Sequence, residues 1–193
     1  MKKFLLSCLA VAGMFFSGNA QTPVTFVVDG TTYEVTSSTT VSISEGNTTA
    51  AEVVIPETVS NGGTTYTVTA VGERAFNYAE ATTITLPNTV TEIGYCGIYN
   101  TKATTIQLST GLTTLGENAL AYNKSLTSIT IPEGVKEIPS SCFSNNQMMA
   151  TVNLPATIES IGNGSFYKVP VESFTFPANC RVVGKNVFQL APN

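Results

Sequence analysis

The 193-residue chain sets nine Lys and Arg against thirteen Asp and Glu, a formal charge of −4, and only 11% of its residues are charged. That balance leaves no basic patch for nucleic acid or an anionic membrane surface. The absence of histidine removes Ser-His-Asp and Cys-His relays, the usual zinc ligands and the commonest general base together.

Residues 1–20 read as a signal peptide: Met1-Lys2-Lys3 is basic, Phe4 to Phe16 is apolar, and Gly18-Asn19-Ala20 is a small-residue cleavage site. A lipoprotein box at Leu5-Leu6-Ser7-Cys8 is the rival reading, but Cys8 follows only four residues of apolar core. A membrane-spanning helix fits less well still, because the run is too short and is interrupted by Ser7 and Gly13. Cleavage after Ala20 leaves seven basic residues against thirteen acidic ones, a formal charge of −6. The mature protein is expected to be exported, whether secreted, on the cell surface or periplasmic, with no membrane insertion after cleavage.

Residues 21–52 follow as a small N-terminal β cap, with strands near Val24 to Val28, Tyr33 to Thr36 and Val41 to Ser44. Residues 53–193 hold the repeats, opened by Val53, Ile55 and Pro56. Pro56 lies 15 residues before Val71 where later turns need six, so nine residues are spliced in. The insertion, at about 60–68, runs from Asn61-Gly62-Gly63 into an alternating strand and predicts a hairpin arm.

A Gly or Pro precedes a large apolar residue by four positions at Gly72/Phe76, Gly94/Ile98, Gly116/Leu120, Pro139/Phe143, Gly162/Phe166 and Gly184/Phe188. The steps of 22, 22, 23, 23 and 22 residues describe solenoid turns. Apolar columns run through Val71, Ile93, Leu115, Ile138, Ile161 and Val183, and through Val90, Leu112, Val135, Ile158 and Cys180. A strand column reads Ile84/Leu86, Ile106/Leu108, Ile129/Ile131, Val152/Leu154 and Phe174/Phe176, closed by Pro87, Ser109, Pro132, Pro155 and Pro177. Pro139 for Gly and Ser109 for Pro are expected to be tolerated as turn variants.

Chemistry is sparse. Cys96, Cys142 and Cys180 fall at different points of the coil, which predicts free thiols packed as small hydrophobes, and no Cys-x-x-Cys pair suggests metal. Glu92 and Glu137, or Glu73 and Glu117, share columns two turns apart, about 9.6 Å. On a convex surface neither pair has a pocket to split its pKa values for glycoside chemistry. Asn61-Gly62-Gly63 leads to a strand and is no phosphate loop. No enzyme and no cofactor is expected.

Leu126, Ile129, Ile131, Pro132, Val135, Ile138 and Phe143 resemble the BspA-type leucine-rich repeat, L-x-x-I-x-L-P-x-x-V-x-x-I-G-x-x-A-F, over residues 53–189. The paired Gly-Thr-Thr-Tyr stretches between Val28 and Val68 also resemble leader regions of secreted members from gut and oral bacteria. The resemblance implies a β-rich solenoid, a leucine-rich repeat of about six turns of 22–23 residues with a parallel strand row, preceded by the β-hairpin cap. It also implies an exported or surface protein, since some members are implicated in attachment to host matrix proteins and other bacteria.

The candidate binding face is the pair of columns flanking the inward strand residues: Thr83, Thr105, Ser128, Thr151 and Ser173, and Thr85, Gln107, Thr130, Asn153 and Thr175. Thr also suits a solvent-facing strand for its β propensity alone. Tyr78, Tyr99, Tyr122 and Tyr167 are candidate edge aromatics for a partner, or they pack along the solenoid edge. These residues suggest an adhesion module for a host or bacterial surface protein or glycan. The alternative is a carbohydrate- or ice-binding face, because Thr83-Ile84-Thr85 resembles antifreeze ladders that Gln107 and Asn153 interrupt. The few residues after Phe188 carry no polar capping turn; either Leu190-Ala191-Pro192 folds over the last turn, or that turn's edge pairs with something, a second copy included, or the chain is a fragment.

Overall fold

The computed structural model describes residues 22–46 and 48–189. The predicted signal peptide with its Cys8, and Leu190-Ala191-Pro192, lie outside the described residues. In chain order the strands are β1 (Thr25–Val28), β2 (Thr31–Val35), β3 (Thr40–Glu45), β4 (Glu52–Val54), β5 (Thr58–Asn61), β6 (Thr64–Val71), β7 (Thr83–Thr85), β8 (Glu92–Ile93), β9 (Thr105–Gln107), β10 (Thr114–Leu115), β11 (Ser128–Thr130), β12 (Glu137–Ile138), β13 (Thr151–Asn153), β14 (Ser160–Ile161) and β15 (Val182–Val183). No helix forms among the described residues.

Alternating β-branched residues make β1–β3 an antiparallel meander, and β3 then runs parallel to the end of β6. The spliced-in segment is the predicted hairpin. β5 pairs antiparallel with β6 across Gly62 and Gly63, both at positive φ, the conformation that only Gly adopts without penalty.

Each regular turn has three sides around one apolar core. The first strand row runs β4–β7–β9 and, separately, β11–β13. The second continues the cap through β6–β8–β10 and, separately, β12–β14–β15. Parallel registers match the sequence columns, as in Ile84 with Ile106 and Ile93 with Leu115. Gly starts the third side because successive turns nearly touch there. A Cβ on Gly116 or Gly184 would sit 2.6 Å from backbone atoms of the preceding turn, and each Gly N–H donates to that turn, at 2.7 Å to Ile93 and Ile161 C=O.

The third side is a ladder of turns. Phe76, Ile98, Leu120, Phe143 and Phe166 N–H groups each reach a carbonyl one turn further on at 2.8–3.0 Å. Intervening N–H groups close local turns, as in Asn77 to Arg74 and Ala121 to Asn118. The alternation requires left-handed backbone at Arg74, Tyr78, Cys96, Asn100, Asn118, Tyr122, Ser141, Asn145, Lys168 and Asn186, with φ of 52–63°. Four of these are Asn, the non-glycine residue best suited to it. Inside, Phe143, Phe166 and Phe188 stack at 5.4 and 5.5 Å.

The last regular turn departs from expectation. Residues 173–175 are not a strand, so Ser173 and Thr175 lie off the ladder. Phe176 is exposed, Val183 is half exposed, and Cys180 is only partly buried where a core residue was expected. Phe174 instead meets Phe166, Phe176 and Phe188 in a terminal aromatic cluster, with nothing described beyond it to cover that end.

Candidate functional site: an interrupted strand face

The outward columns of the first strand row form a neutral hydrogen-bonding face. Thr105, Gln107, Ser128, Thr130, Thr151 and Asn153 are exposed, while Thr83 and Thr85 are half-buried. Asn153 Nδ2 donates to Thr130 Oγ1 at 3.1 Å, tying neighbouring rungs. No charged side chain interrupts these six positions.

The row is broken in its middle. Among the described residues no backbone hydrogen bond joins β9 to β11, although β7–β9 and β11–β13 pair on either side. The gap opens a cleft of about 430 Å³ between Thr105–Leu108 and Ser128–Thr130, ending at Thr110 and Pro132. It coincides with the one turn whose strand-closing Pro is replaced by Ser109, which is buried, its Oγ accepting the Gly111 N–H at 3.0 Å.

The second row opens between the same two turns, since β10 and β12 do not pair. Pro139 lies at this step. It occupies the Gly column, so it brings no N–H for Leu115 C=O and places a ring where Gly lets turns touch. The two turns stay together at the corner, where a Cβ on Gly134 would lie 2.6 Å from Leu112 O. They also stay together along the third side, where Leu120 donates to Cys142 C=O at 3.0 Å and Tyr122 to Ser144 C=O at 2.8 Å.

That side is fastened by two buried amides the sequence reading did not single out. Asn123 Nδ2 donates to Ile98 and Leu120 C=O at 2.8 and 3.0 Å. Its Oδ1 accepts from Thr101 N–H and Oγ1–H at 2.8 and 2.7 Å. Asn146 Oδ1 accepts the Asn123 N–H at 2.7 Å, and its Nδ2 donates to Leu120 C=O at 3.0 Å. The available signal was polar residues in a column that otherwise reads Ala79 and Val169.

The aromatic edge is partly assembled. Tyr78, 63% exposed, meets Tyr99 edge-on at 6.4 Å, and Tyr99 lies 5.1 Å from Tyr122. Burial and then the neighbouring Tyr122 push the Tyr99 phenol above its ordinary pKa, so it remains a donor. Arg74 lies over the Tyr95 ring at 5.3 Å beside them. Tyr167 is apart from this group, with Lys168 over its ring. The cysteines are free: Cys142 is fully enclosed, and burial pushes its thiol well above the ordinary range. Among the described residues no cluster of His, Cys, Asp and Glu has a metal-binding arrangement.

Comparison with known families decides the class. The model for the BspA type leucine-rich repeat region matches six copies over residues 69–193. The chain belongs to this family. A leucine-rich cell surface protein from Faecalibacterium prausnitzii is similar, with a TM-score of 0.66 and 24% identity over 88% of this chain and 53% of that one. The pneumococcal vaccine antigen PcpA gives 0.73 and 22% over 88% and 48%. A leucine-rich repeat protein from Bacteroides ovatus gives 0.57 and 28% over 84% and 50%. The chain therefore spans about half the length of these structures. Among curated proteins none matches. No helix among the described residues of this chain is long and apolar enough to cross a membrane.

Proposed function

We propose that this chain is a non-catalytic binding module of the cell exterior, of the adhesion type, using its strand face against a surface macromolecule. The observation that carries the reading is the exposed, uncharged run of Thr105, Gln107, Ser128, Thr130, Thr151 and Asn153 along one side of the coil, on the β7–β9 ladder and the β11–β13 ladder. The signal-peptide pattern of residues 1–20 and the description of the F. prausnitzii relative as a cell surface protein support the location. The exposed Tyr78 with Tyr99 and Tyr122 supplies an aromatic edge on another side of the coil, the residue type that anchors protein interfaces.

A carbohydrate face is the second reading, favoured by the hydroxyl and amide columns. An ice face fits less well, because the open β9–β11 step breaks the even spacing such a lattice match needs.

The test is enrichment from host matrix and mucin extracts on immobilised residues 21–193, beside a Thr85→Tyr/Thr130→Tyr variant. Capture of a surface macromolecule by the parent and its loss in the variant is the expected result. Equal capture by both would remove the strand face as the site.

A further inference from the structure

We propose that the break between β9 and β11 is a binding cleft for an uncharged oligosaccharide. The inference rests on the strand face being the ligand side and names the class of ligand its central gap would take.

The volume is the first ground. At about 430 Å³ the cleft falls within the roughly 300–1,000 Å³ range of small-molecule sites.

Backbone chemistry is the second. In the parallel register Thr105 and Gln107 spend their main-chain groups on β7, so the N–H and C=O of Ile106 face β11. On the opposite wall Ile129 bonds to β13, which leaves the N–H and C=O of Ser128 and Thr130 facing β9. Among the described residues nothing in the fold pairs these groups across the gap. The Cα atoms of the two walls still approach within 8 Å. A strand laid between them would need about 4.8 Å on each side, so an extended peptide does not fit. A sugar ring is about as thick and does not enter between the backbones either, but hydroxyl groups projecting from a ring seated at the mouth do reach in, because each both donates and accepts and so matches walls where the two kinds alternate.

The rim is the third. Gln107, Thr110, Ser128 and Thr130 present amide and hydroxyl groups, while Leu108 and Pro132 offer apolar surface for the C–H face of a sugar ring. No Asp, Glu, Lys or Arg lines the cleft, so a sulfated or sialylated unit finds no ionic partner there.

The test is a ¹⁵N amide titration of residues 21–193 with maltotriose, cellotriose and triacetylchitotriose, and with sialyllactose and a sulfated heparin disaccharide for contrast. At least one neutral trisaccharide is expected to give saturable shifts centred on Ile106–Thr110 and Ser128–Pro132, with a Kd of about 1 mM or tighter. Ser128→Tyr, which fills the cleft from an exposed position, should raise that Kd at least tenfold. Ser173→Tyr, in the same column but away from the break, should leave it unchanged. The proposal is overturned if no neutral trisaccharide gives saturable shifts, if the charged sugars bind better, or if both Tyr variants weaken binding equally. Failure of the sugars with continued capture of a surface macromolecule removes the cleft and keeps the strand-face reading. Cleft binding with no capture leaves the cleft in place and removes the adhesion reading.

Discussion

Replacing Asn123 with Ala is expected to lower the unfolding free energy by about 3–6 kcal/mol, near the limit of what a marginally stable domain tolerates. The side chain is fully buried and makes four hydrogen bonds in two directions. Removing it leaves the Thr101 N–H and the Ile98 C=O without partners, and the Thr101 hydroxyl, which still accepts the Ala103 N–H, without an acceptor for its proton. Leu120 C=O keeps the Asn146 amide. Three orphaned groups at about 1–3 kcal/mol each set the range, with the upper end reduced because the Thr101 hydroxyl can rotate. Asn146→Ala orphans one group, the Asn123 N–H, and should cost about 1–3 kcal/mol. Urea unfolding followed by far-ultraviolet circular dichroism and tyrosine fluorescence, with linear extrapolation, reads both values. An Asn123→Ala stability within about 1 kcal/mol of the parent, or a larger loss in Asn146→Ala than in Asn123→Ala, would show that these amide hydrogen bonds do not fasten the third side.

Other consequences follow from the same structure. Burial holds the Cys142 thiol above its ordinary 9.0, so the folded state keeps a proton that the unfolded chain loses. Stability should therefore be intact below about pH 9 and fall as pH rises beyond it, and Cys142→Ala, which copies Ala75 and Ala119, should flatten that fall in thermal melts from pH 8 to 11. Because both strand rows open between the same two turns, native-state hydrogen exchange should show residues before about 125 and after it as two blocks with separate opening energies. A single global opening would count against this. The exposed Val182 and Val183 on β15 leave an apolar edge for self-association, so light scattering should show mass rising with concentration in the parent and a constant monomer in Val182→Lys. Constant monomer in both would remove that edge as a contact.

Repetition made the coil legible: a column that must pack against its neighbours shows its constraint at every turn, and Ile84, Ile106 and Ile129 are all buried as their column requires. The β5–β6 hairpin was legible because Gly62 and Gly63 are the residues a positive-φ turn needs. What escaped were departures whose effect depends on the turn behind them. Pro139 reads as a turn variant in its own turn, and only its stacking on Gly116 shows that it withholds a hydrogen bond. Asn123 and Asn146 did not stand out, since burial of a polar side chain is visible only when its partners on the adjoining turn are in place. In the last turn described, Phe174, Phe176 and Cys180 follow the apolar pattern, yet Phe176 is exposed and Cys180 only partly buried, because burial depends on which neighbouring turn packs against a column position. The strand face was visible as columns; the cleft was not, because the 22- and 23-residue steps do not say where a ladder parts.

Pro139→Gly tests whether Pro139 causes the open step. Gly at this position restores the N–H that Gly94, Gly116, Gly162 and Gly184 each donate to the preceding turn. One added hydrogen bond contributes about 0.5–1.5 kcal/mol. Replacing Pro by Gly loosens the unfolded chain and costs an amount of the same order, about 1 kcal/mol. Global stability should therefore move little, and a melting temperature alone decides nothing. Hydrogen exchange separates the terms: if the ladder closes, the new backbone amide of the Pro139→Gly variant becomes protected and the opening energies of the blocks on either side converge. If that amide exchanges freely and the two blocks stay apart, Pro139 does not hold β10 and β12 open. Convergence accompanied by weaker neutral-sugar binding would then tie the two openings together, because β9 and β10 belong to one turn and β11 and β12 to the next.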